Sequence, residues 1–162
     1  MSGEELLAEA KKFEKNLLNF FWRQGVSSFE GEDLVQETYL RLWNYREKYR
    51  PTAKLSTFLF TLARQVRIDA LRRRTRRENR EENWGREQPT EEAPKAFGLR
   101  EDIRWAVAQL SEPLKEVIEL GVFQDLPYAE ISEILSIPVG TVKSRMSNAL
   151  KKLKEILDER RS

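Results

Sequence analysis

The stretch LPYAEISEILSIPVGTVKSRMSNALKKL, residues 126–153, decides the fold of the second half of this chain. Two runs with apolar residues at helical spacing flank a short turn that contains Pro138. Ile131, Ile134 and Leu135 give the first run an inward face. The second run continues that face with Val142, Met146, Ala149, Leu150 and Leu153. This pattern predicts a helix-turn-helix.

Polar side chains gather at the start of the second predicted helix, where donors and mixed groups can read base edges in the major groove. Gly140 has no side chain, so it would let a DNA backbone or base edge approach closely. The alternative is a helical hairpin with a solvated face. Pro138, Gly140 and the basic block that follows favour DNA binding. The predicted DNA-contacting residues are Gly140, Thr141, Lys143, Ser144, Arg145, Ser147 and Asn148.

Composition narrows the class of protein. The 162 residues suffice for one ordinary domain or two small ones, and 35% charged residues favour small helical units with much solvated surface. The chain has no Cys and no His, which excludes disulfides, zinc fingers and His-based catalysis. It also shows no phosphate-binding loop, so we expect no enzymatic activity, no cofactor and no metal site.

No apolar run is long enough to cross a bilayer, and the acidic start MSGEELLAEA is unlike a signal peptide, so we expect a cytoplasmic protein without membrane insertion.

The charges are segregated, although the net charge is only +2. Residues 64–80 contain eight Arg against two acids, and residues 143–161 contain seven bases against three acids. Between them, residues 81–102 contain seven acids against three bases. Two basic blocks separated by an acidic connector indicate two contacts with a polyanion.

The rest of the chain also has helical periodicity. Apolar residues from Leu6 to Phe21 predict one helix with Gly25 as its stop, and Ser27 or Ser28 lies near the start of a second helix. Ser56 is the expected N-cap of a long helix. We therefore expect an all-α fold of two small helical domains, residues 1–76 and 100–162, joined by a flexible acidic linker, residues 77–99. The further predicted helices span residues 30–45, 56–74, 100–110, 112–122, 128–135 and 139–157.

The helix that contains DLVQETYLRLW, residues 33–43, has a mixed outer face. Leu34, Val35, Thr38, Tyr39 and Leu42 share one side of this helix and are predicted to be core. Leu40 and Trp43 instead lie among polar residues, which indicates a protein contact. The alternative is that they are scattered surface apolar residues.

The predicted helix over residues 56–74 also has a second face, with Phe60 beside Arg64 and Arg67. An aromatic ring beside arginines can stack on an unpaired base while the cations bind phosphates. Alternatively, Phe60 is buried against a neighbouring helix and the arginines are solvated.

Three motifs together resemble the extracytoplasmic-function (ECF, or group IV) sigma factors of bacterial RNA polymerase. SIPVGTVKSR, with EISEIL before it and NALKKLK after it, resembles their region 4. DLVQETYLRLW resembles their region 2.2, and STFLFTLARQVRIDALRRR resembles their regions 2.3 and 2.4. The motifs occur in the family's order and cover nearly everything except the linker.

The resemblance implies a factor that binds core RNA polymerase and directs promoter-specific initiation. Region 2 would bind the β′ clamp helices, region 4 would bind the −35 element and lie at the β flap, and an anti-sigma factor would be a further partner. The implied core-polymerase contacts are Gln36, Glu37, Leu40, Arg41, Trp43 and Asn44. The implied −10 contacts are Tyr49, Lys54, Phe60, Arg64, Gln65, Arg67, Arg72, Arg73 and Arg74.

The chain departs from the family at Gln65, where Asn is common, and at Asn148, where Arg is frequent. The loop YRPTAKLST lacks the family's common Arg-Gly, so the identity of a captured base does not carry over. One alternative function is a polymerase-independent helix-turn-helix regulator. Another is a protein-binding antagonist whose second domain is only a scaffold.

Overall fold

The computed structural model describes residues 2–50, 54–81 and 99–161, and within these ranges all regular structure is helical. The chain divides into two compact units, which confirms the expected all-α fold with two helical domains. The first unit contains Met1–Phe21 and Ser27–Glu92, and the second contains Trp22–Val26 and Ala93–Ser162. The helices are α1 (Gly3–Lys11), α2 (Glu14–Arg23), α3 (Ser28–Asn44), α4 (Leu55–Glu81), α5 (Leu99–Ala108), α6 (Glu112–Ile118), α7 (Tyr128–Leu135) and α8 (Val139–Arg161), with a π-helical turn (Glu119–Phe123) after α6.

Local signals place several of the helix ends. The Ser27 side chain accepts a hydrogen bond from the Glu30 amide at 3.2 Å, so Ser27, one of the two serines expected near the start of α3, is its N-cap. Gly25 has a φ of 88°, a left-handed conformation that suits glycine just after a helix, and it confirms the predicted stop.

Two predictions about helix boundaries were wrong. The single helix expected up to Phe21 is two helices, because α1 ends at Lys11 and α2 begins at Glu14. Ser56 lies inside α4 and does not cap it. The amide of Phe58 already donates to the Lys54 carbonyl at 3.2 Å, so the helical hydrogen bonding starts before Ser56.

The core of the first unit lies where the apolar faces of its helices meet. Thr38 is also completely buried, and its hydroxyl donates to the Leu34 carbonyl at 2.7 Å, which satisfies the hydroxyl without a partner from another helix. The fully buried large side chains of this unit are Leu17, Phe21, Val35, Leu42, Leu59, Phe60 and Val66.

Helix α4 changes its environment along its length. Its first three turns are buried through residues such as Leu59, Ala63 and Val66, whereas the side chains of residues 71–77 are exposed. The helix continues to Glu81, five residues into the segment 77–99 that was expected to be linker. The rest of that expected linker, residues 82–98, lies outside the described residues.

In the second unit, α7 and α8 form the helix-turn-helix. Ser136 turns the chain in the left-handed conformation, with φ 55° and ψ 47°. The Ile137 amide donates to the Ser132 carbonyl, and the Ser132 hydroxyl donates back to the Ile137 carbonyl, which holds the turn closed. The apolar face was predicted correctly apart from Leu153, which is half-buried, and Leu150, which is 48% exposed because it lies off the buried line of Val142, Met146 and Ala149.

A buried carboxylate follows α6 in the second unit. Glu119 in the π-helical turn is 3% exposed and accepts hydrogen bonds from Arg23 at 2.7 Å and from Gln124 at 3.3 Å. Burial raises the pKa of Glu119 above its ordinary value, and these donors offset that effect only in part. Because an unpaired buried carboxylate is costly, this pairing is needed for the local structure to be stable.

Candidate functional site

The first turns of α8 present the predicted DNA-contacting residues at the surface. The side chains of Thr141 and Arg145 are half-buried, and the other five residues of this set are exposed. Buried Val142 and Met146 anchor the opposite side of the helix in the core of the unit. The polar face of α8 is therefore held on a rigid helix and left open to a partner.

Gly140 lies in the middle of this surface without an intramolecular reason to be glycine. A Cβ atom built on Gly140 would meet nothing within 4 Å, and its φ is not positive. Glycine costs a helix up to about 1 kcal/mol relative to alanine. The folded chain itself therefore does not require glycine at this position.

Sequence reasoning missed Val139, an exposed apolar residue on the same first turn. An exposed aliphatic side chain beside a base-reading surface can contact a thymine methyl group. The available signal was its position next to Gly140, on the first turn of the predicted recognition helix.

The outer face of α3 carries the residues predicted to contact the polymerase. Leu40 is 58% exposed, and Gln36 and Asn44 are exposed beside it. Glu37, Arg41 and Trp43 are half-buried at the edges of the same face. The structure thus brings the six predicted residues together on one side of α3, opposite its buried residues.

Arg41 makes intramolecular ion pairs that the sequence did not indicate. Its guanidinium lies 2.8 Å from the Asp69 carboxylate on α4 and 3.2 Å from the Glu37 carboxylate one turn away. Burial lowers the pKa of Arg41, but the two carboxylates outweigh it, so the pKa of Arg41 is raised above its ordinary value. Arg41 therefore links α3 to α4.

Trp43 is also engaged within the first unit. The guanidinium of Arg46 lies 4.3 Å from the centre of the indole ring, and Arg46 also donates to the Trp43 carbonyl at 2.9 Å. Gly3 of α1 packs so closely that a Cβ there would lie 3.2 Å from the ring. These contacts fix the orientation of the indole and leave part of it at the surface.

Phe60 requires a correction to the predicted −10 contacts. It is 2% exposed, and its ring centre lies 5.7 Å from that of Phe20. A ring buried this completely has no free face on which an unpaired base could stack. Phe60 is therefore a core residue, and we leave it out of the proposed DNA-contacting set.

The remaining predicted −10 residues lie at the surface of the first unit. On α4, Arg64 and Arg67 are half-buried, and Gln65, Arg72, Arg73 and Arg74 are exposed. Arg74 lies 3.4 Å from Glu78, an exposed pair one turn apart. The arginines thus form a basic surface that begins where α4 leaves the core.

Tyr49 and Lys54 flank residues 51–53, which lie outside the described residues. Tyr49 is half-buried, with its ring centre 5.5 Å from that of Phe58. Lys54 is exposed just before α4. Both residues precede α4, the helix that carries the arginines, in the sequence.

The described part of the chain offers no group of three or more acidic side chains arranged to hold a metal ion. None of its helices is both long enough and apolar enough to span a bilayer.

Family comparisons match both units. The model for sigma-70 region 2 matches residues 10–77, and the model for sigma-70 region 4 matches residues 100–153. The chain is 30% identical over 146 residues to the ECF RNA polymerase sigma factor RpoE of Cereibacter sphaeroides, covering 88% of this chain and 81% of that protein. It is 37% identical over 147 residues to the ECF RNA polymerase sigma factor SigL of Mycobacterium tuberculosis, covering 85% and 82%.

Solved structures show the same fold. The sigma factor RpoE of Bartonella quintana, in complex with the anti-sigma factor NepR, matches with a TM-score of 0.79 and 26% identity over 93% of this chain and 95% of that one. CnrH, in complex with the cytosolic domain of CnrY, matches with a TM-score of 0.70 over 95% of this chain and 96% of that one. At 19% identity, the CnrH match supports the fold alone.

Proposed function

The chain belongs to the ECF RNA polymerase sigma factors, and from this premise we propose that it directs core RNA polymerase to promoters by recognising and melting the −10 element and binding the −35 element. The observation that carries the proposal is the match of both sigma regions, each on a unit with its own exposed candidate surface. The protein would perform no covalent chemistry, because the polymerase supplies it. We place it in the cytoplasm, where the polymerase works.

The α3 docking face, defined as Gln36, Glu37, Leu40, Arg41, Trp43 and Asn44, is the proposed contact with the β′ clamp helices. Leu40 is central to this proposal because it is aliphatic, exposed and surrounded by polar groups. Burying such a side chain at the centre of an interface contributes more to affinity than the polar rim around it. Arg41 would have two roles: its ion pair with Asp69 would hold α3 against α4, and its side chain would contact the polymerase at the edge of the docking face.

The exposed polar face of α8 is the proposed −35 surface. Lys143 and Arg145 bring positive charge to the DNA, while Ser144, Ser147 and Asn148 supply hydrogen-bonding groups for base edges. Asn148 can form a bidentate pair with adenine. Region 4 would also lie at the β flap of the polymerase.

The arginine surface of α4 is the proposed −10 surface, together with Tyr49 and Lys54. Arg72, Arg73 and Arg74 would bind phosphates, because all three are exposed and cationic. Gln65 and Tyr49 would lie nearer the bases. The ligand of this surface would be opened promoter DNA in the complex with polymerase, because its bases are exposed there.

An anti-sigma factor is a further proposed partner. The similar RpoE structure was solved in complex with the anti-sigma factor NepR. Such a protein would compete with core polymerase and DNA for the surfaces described above.

Run-off transcription with purified bacterial core polymerase tests the function. We expect promoter-specific transcripts only when this chain is added. A polymerase-independent regulator would instead bind an operator tightly by itself and leave the start sites of core polymerase unchanged. Transcription that is equally unselective with and without the chain would refute the proposal.

Leu40→Asp is expected to abolish assembly with core polymerase. Leu40 is 58% exposed, so a charge at this position leaves the fold intact while placing an unpaired carboxylate in the contact. Co-elution from gel filtration measures assembly. Leu71→Asp, which alters an exposed leucine on α4 of the same unit, is the matched control and should assemble normally.

A further inference from the structure

Phe29 is the most exposed large apolar side chain in the described part of the chain, at 81%. It lies in the first turn of α3, yet the start of this helix depends on Ser27, whose hydroxyl accepts the Glu30 amide. An aromatic ring so exposed contributes little to the stability of its own unit. The fold of the first unit therefore does not explain why Phe29 is aromatic.

Helix geometry places Phe29 on the same face as Leu40. The two residues are eleven positions apart, which is just over three full turns at about 100° per residue, so their directions differ by about 20°. Asp33 and Gln36 lie between them and are exposed. A continuous exposed stripe thus runs from Phe29 to the α3 docking face.

We propose that Phe29 is a second apolar anchor for core RNA polymerase, at the opposite end of α3 from Trp43. This inference rests on the proposed sigma-factor function and enlarges its docking surface. The stripe from Phe29 to Asn44 is about 22 Å long, whereas residues 36–44 alone span about 12 Å. A stable protein contact buries about 800 Å² on each partner, which the longer stripe reaches more readily.

The chemistry around Phe29 specifies what the polymerase must offer there. Glu32 and Asp33 are exposed acids beside the ring. The matching polymerase surface therefore has an apolar recess for the ring and a basic side chain at its edge. It is continuous with the surface that receives Leu40.

The affinity of full-length Phe29→Ala for purified bacterial core polymerase tests this inference. The chain contains no cysteine, so Ser162→Cys provides one site for a fluorescent label and an anisotropy titration. We expect Phe29→Ala to weaken binding roughly tenfold, as truncation of an aromatic anchor does. Phe29→Leu keeps the apolar contact and should recover most of the affinity, and the melting temperature of both variants should be that of the wild type.

Two controls separate the possible outcomes. Leu71→Ala removes exposed aliphatic surface from α4 and should bind core polymerase like the wild type. If Leu40→Asp abolishes assembly while Phe29→Ala binds normally, the inference about Phe29 is wrong and the proposed function stands. If neither variant affects assembly, the proposed function itself fails. Sedimentation of the free protein provides a further check, since loss of self-association in Phe29→Ala with unchanged core affinity would assign the ring to a second copy of this chain.

Discussion

Phe60 shows how the surroundings of one residue decide its role. Its neighbours on α4 include arginines, but its own ring is buried against Phe20. Leu71 lies eleven residues later on nearly the same side of α4 and is 43% exposed. The same face of one helix is therefore core at Phe60 and surface at Leu71.

Phe60→Ala is expected to lower the free energy of unfolding by about 3–5 kcal/mol, because it removes a buried ring and leaves a cavity. Urea unfolding followed by circular dichroism measures the change. Leu71→Ala is the control on the same face and should change stability by less than about 0.5 kcal/mol. A stable Phe60→Ala protein that assembles with polymerase but fails to open promoters would return Phe60 to the DNA-contacting set.

The raised pKa of Tyr39 predicts that the stability of the protein falls at alkaline pH. Burial, aided by the nearby charge of Glu14, raises the pKa of Tyr39 to about 12 from its ordinary value of 10.0. The stabilisation from neutral Tyr39 is thus fully present below pH 10 and is lost as the pH rises towards 12.

The expected result is that the wild type loses about 1 kcal/mol more stability than Tyr39→Phe between pH 9 and pH 11. Urea unfolding of both proteins across this range measures the difference. Parallel stability curves for the two proteins would show that Tyr39 ionises as freely in the folded state as in the unfolded one.

At the scale of the helices, the ion pair between Arg41 and Asp69 joins the proposed polymerase-contacting helix to the proposed −10 helix. The guanidinium of Arg41 on α3 lies 2.8 Å from the Asp69 carboxylate on α4. The ion pair therefore ties α3, with its proposed polymerase-contacting face, to α4, with its proposed −10 surface.

A double-mutant cycle with Arg41→Ala, Asp69→Ala and the combined variant is expected to give a coupling energy of about 0.5–1 kcal/mol, because the pair is only partly buried. Unfolding free energies of the four proteins measure it. Arg74→Ala with Glu78→Ala, an exposed pair within α4, is the comparison cycle and should give a smaller coupling. Strictly additive effects for Arg41 and Asp69 would mean that the ion pair does not stabilise the contact between α3 and α4.

At the scale of the whole molecule, the proposed function joins two weak contacts through one chain. The net charge of +2 is small, so the free protein has little general attraction for DNA. Linking two modules makes the second binding event effectively intramolecular once the first has occurred. Under the proposed function, selectivity would depend on core polymerase, which would align both surfaces with the promoter.

The salt dependence of promoter binding by the holoenzyme tests whether both surfaces contact DNA. Lys143→Ala should lower the slope of log affinity against log salt concentration by about 0.9 if it removes one phosphate contact to duplex DNA, and Arg72→Ala should lower it by about 0.7 if it removes one contact to opened DNA. The two reductions should add, because the residues lie on separate units. Lys12→Ala, which alters an exposed lysine paired with Glu9, should leave the slope unchanged. Unchanged slopes for both test variants would place these residues away from the DNA.

Much of the fold and part of the candidate site followed from local pattern. Periodic apolar residues determined the helix-turn-helix, Ser27 and Gly25 determined helix ends, and the exposed position of Leu40 followed from its polar neighbours. These features depend on residues within a few turns of one another, so the sequence alone was sufficient to predict them.

The tertiary structure decided which helical faces are covered and by what. Phe60 is buried and Leu71 exposed because the packing of the first unit ends partway along α4. Arg41 pairs with Asp69 because α3 and α4 pack together, although the two residues are far apart in sequence. Periodicity describes the faces of a single helix, whereas burial and ion pairing depend on neighbours that only the folded chain brings together.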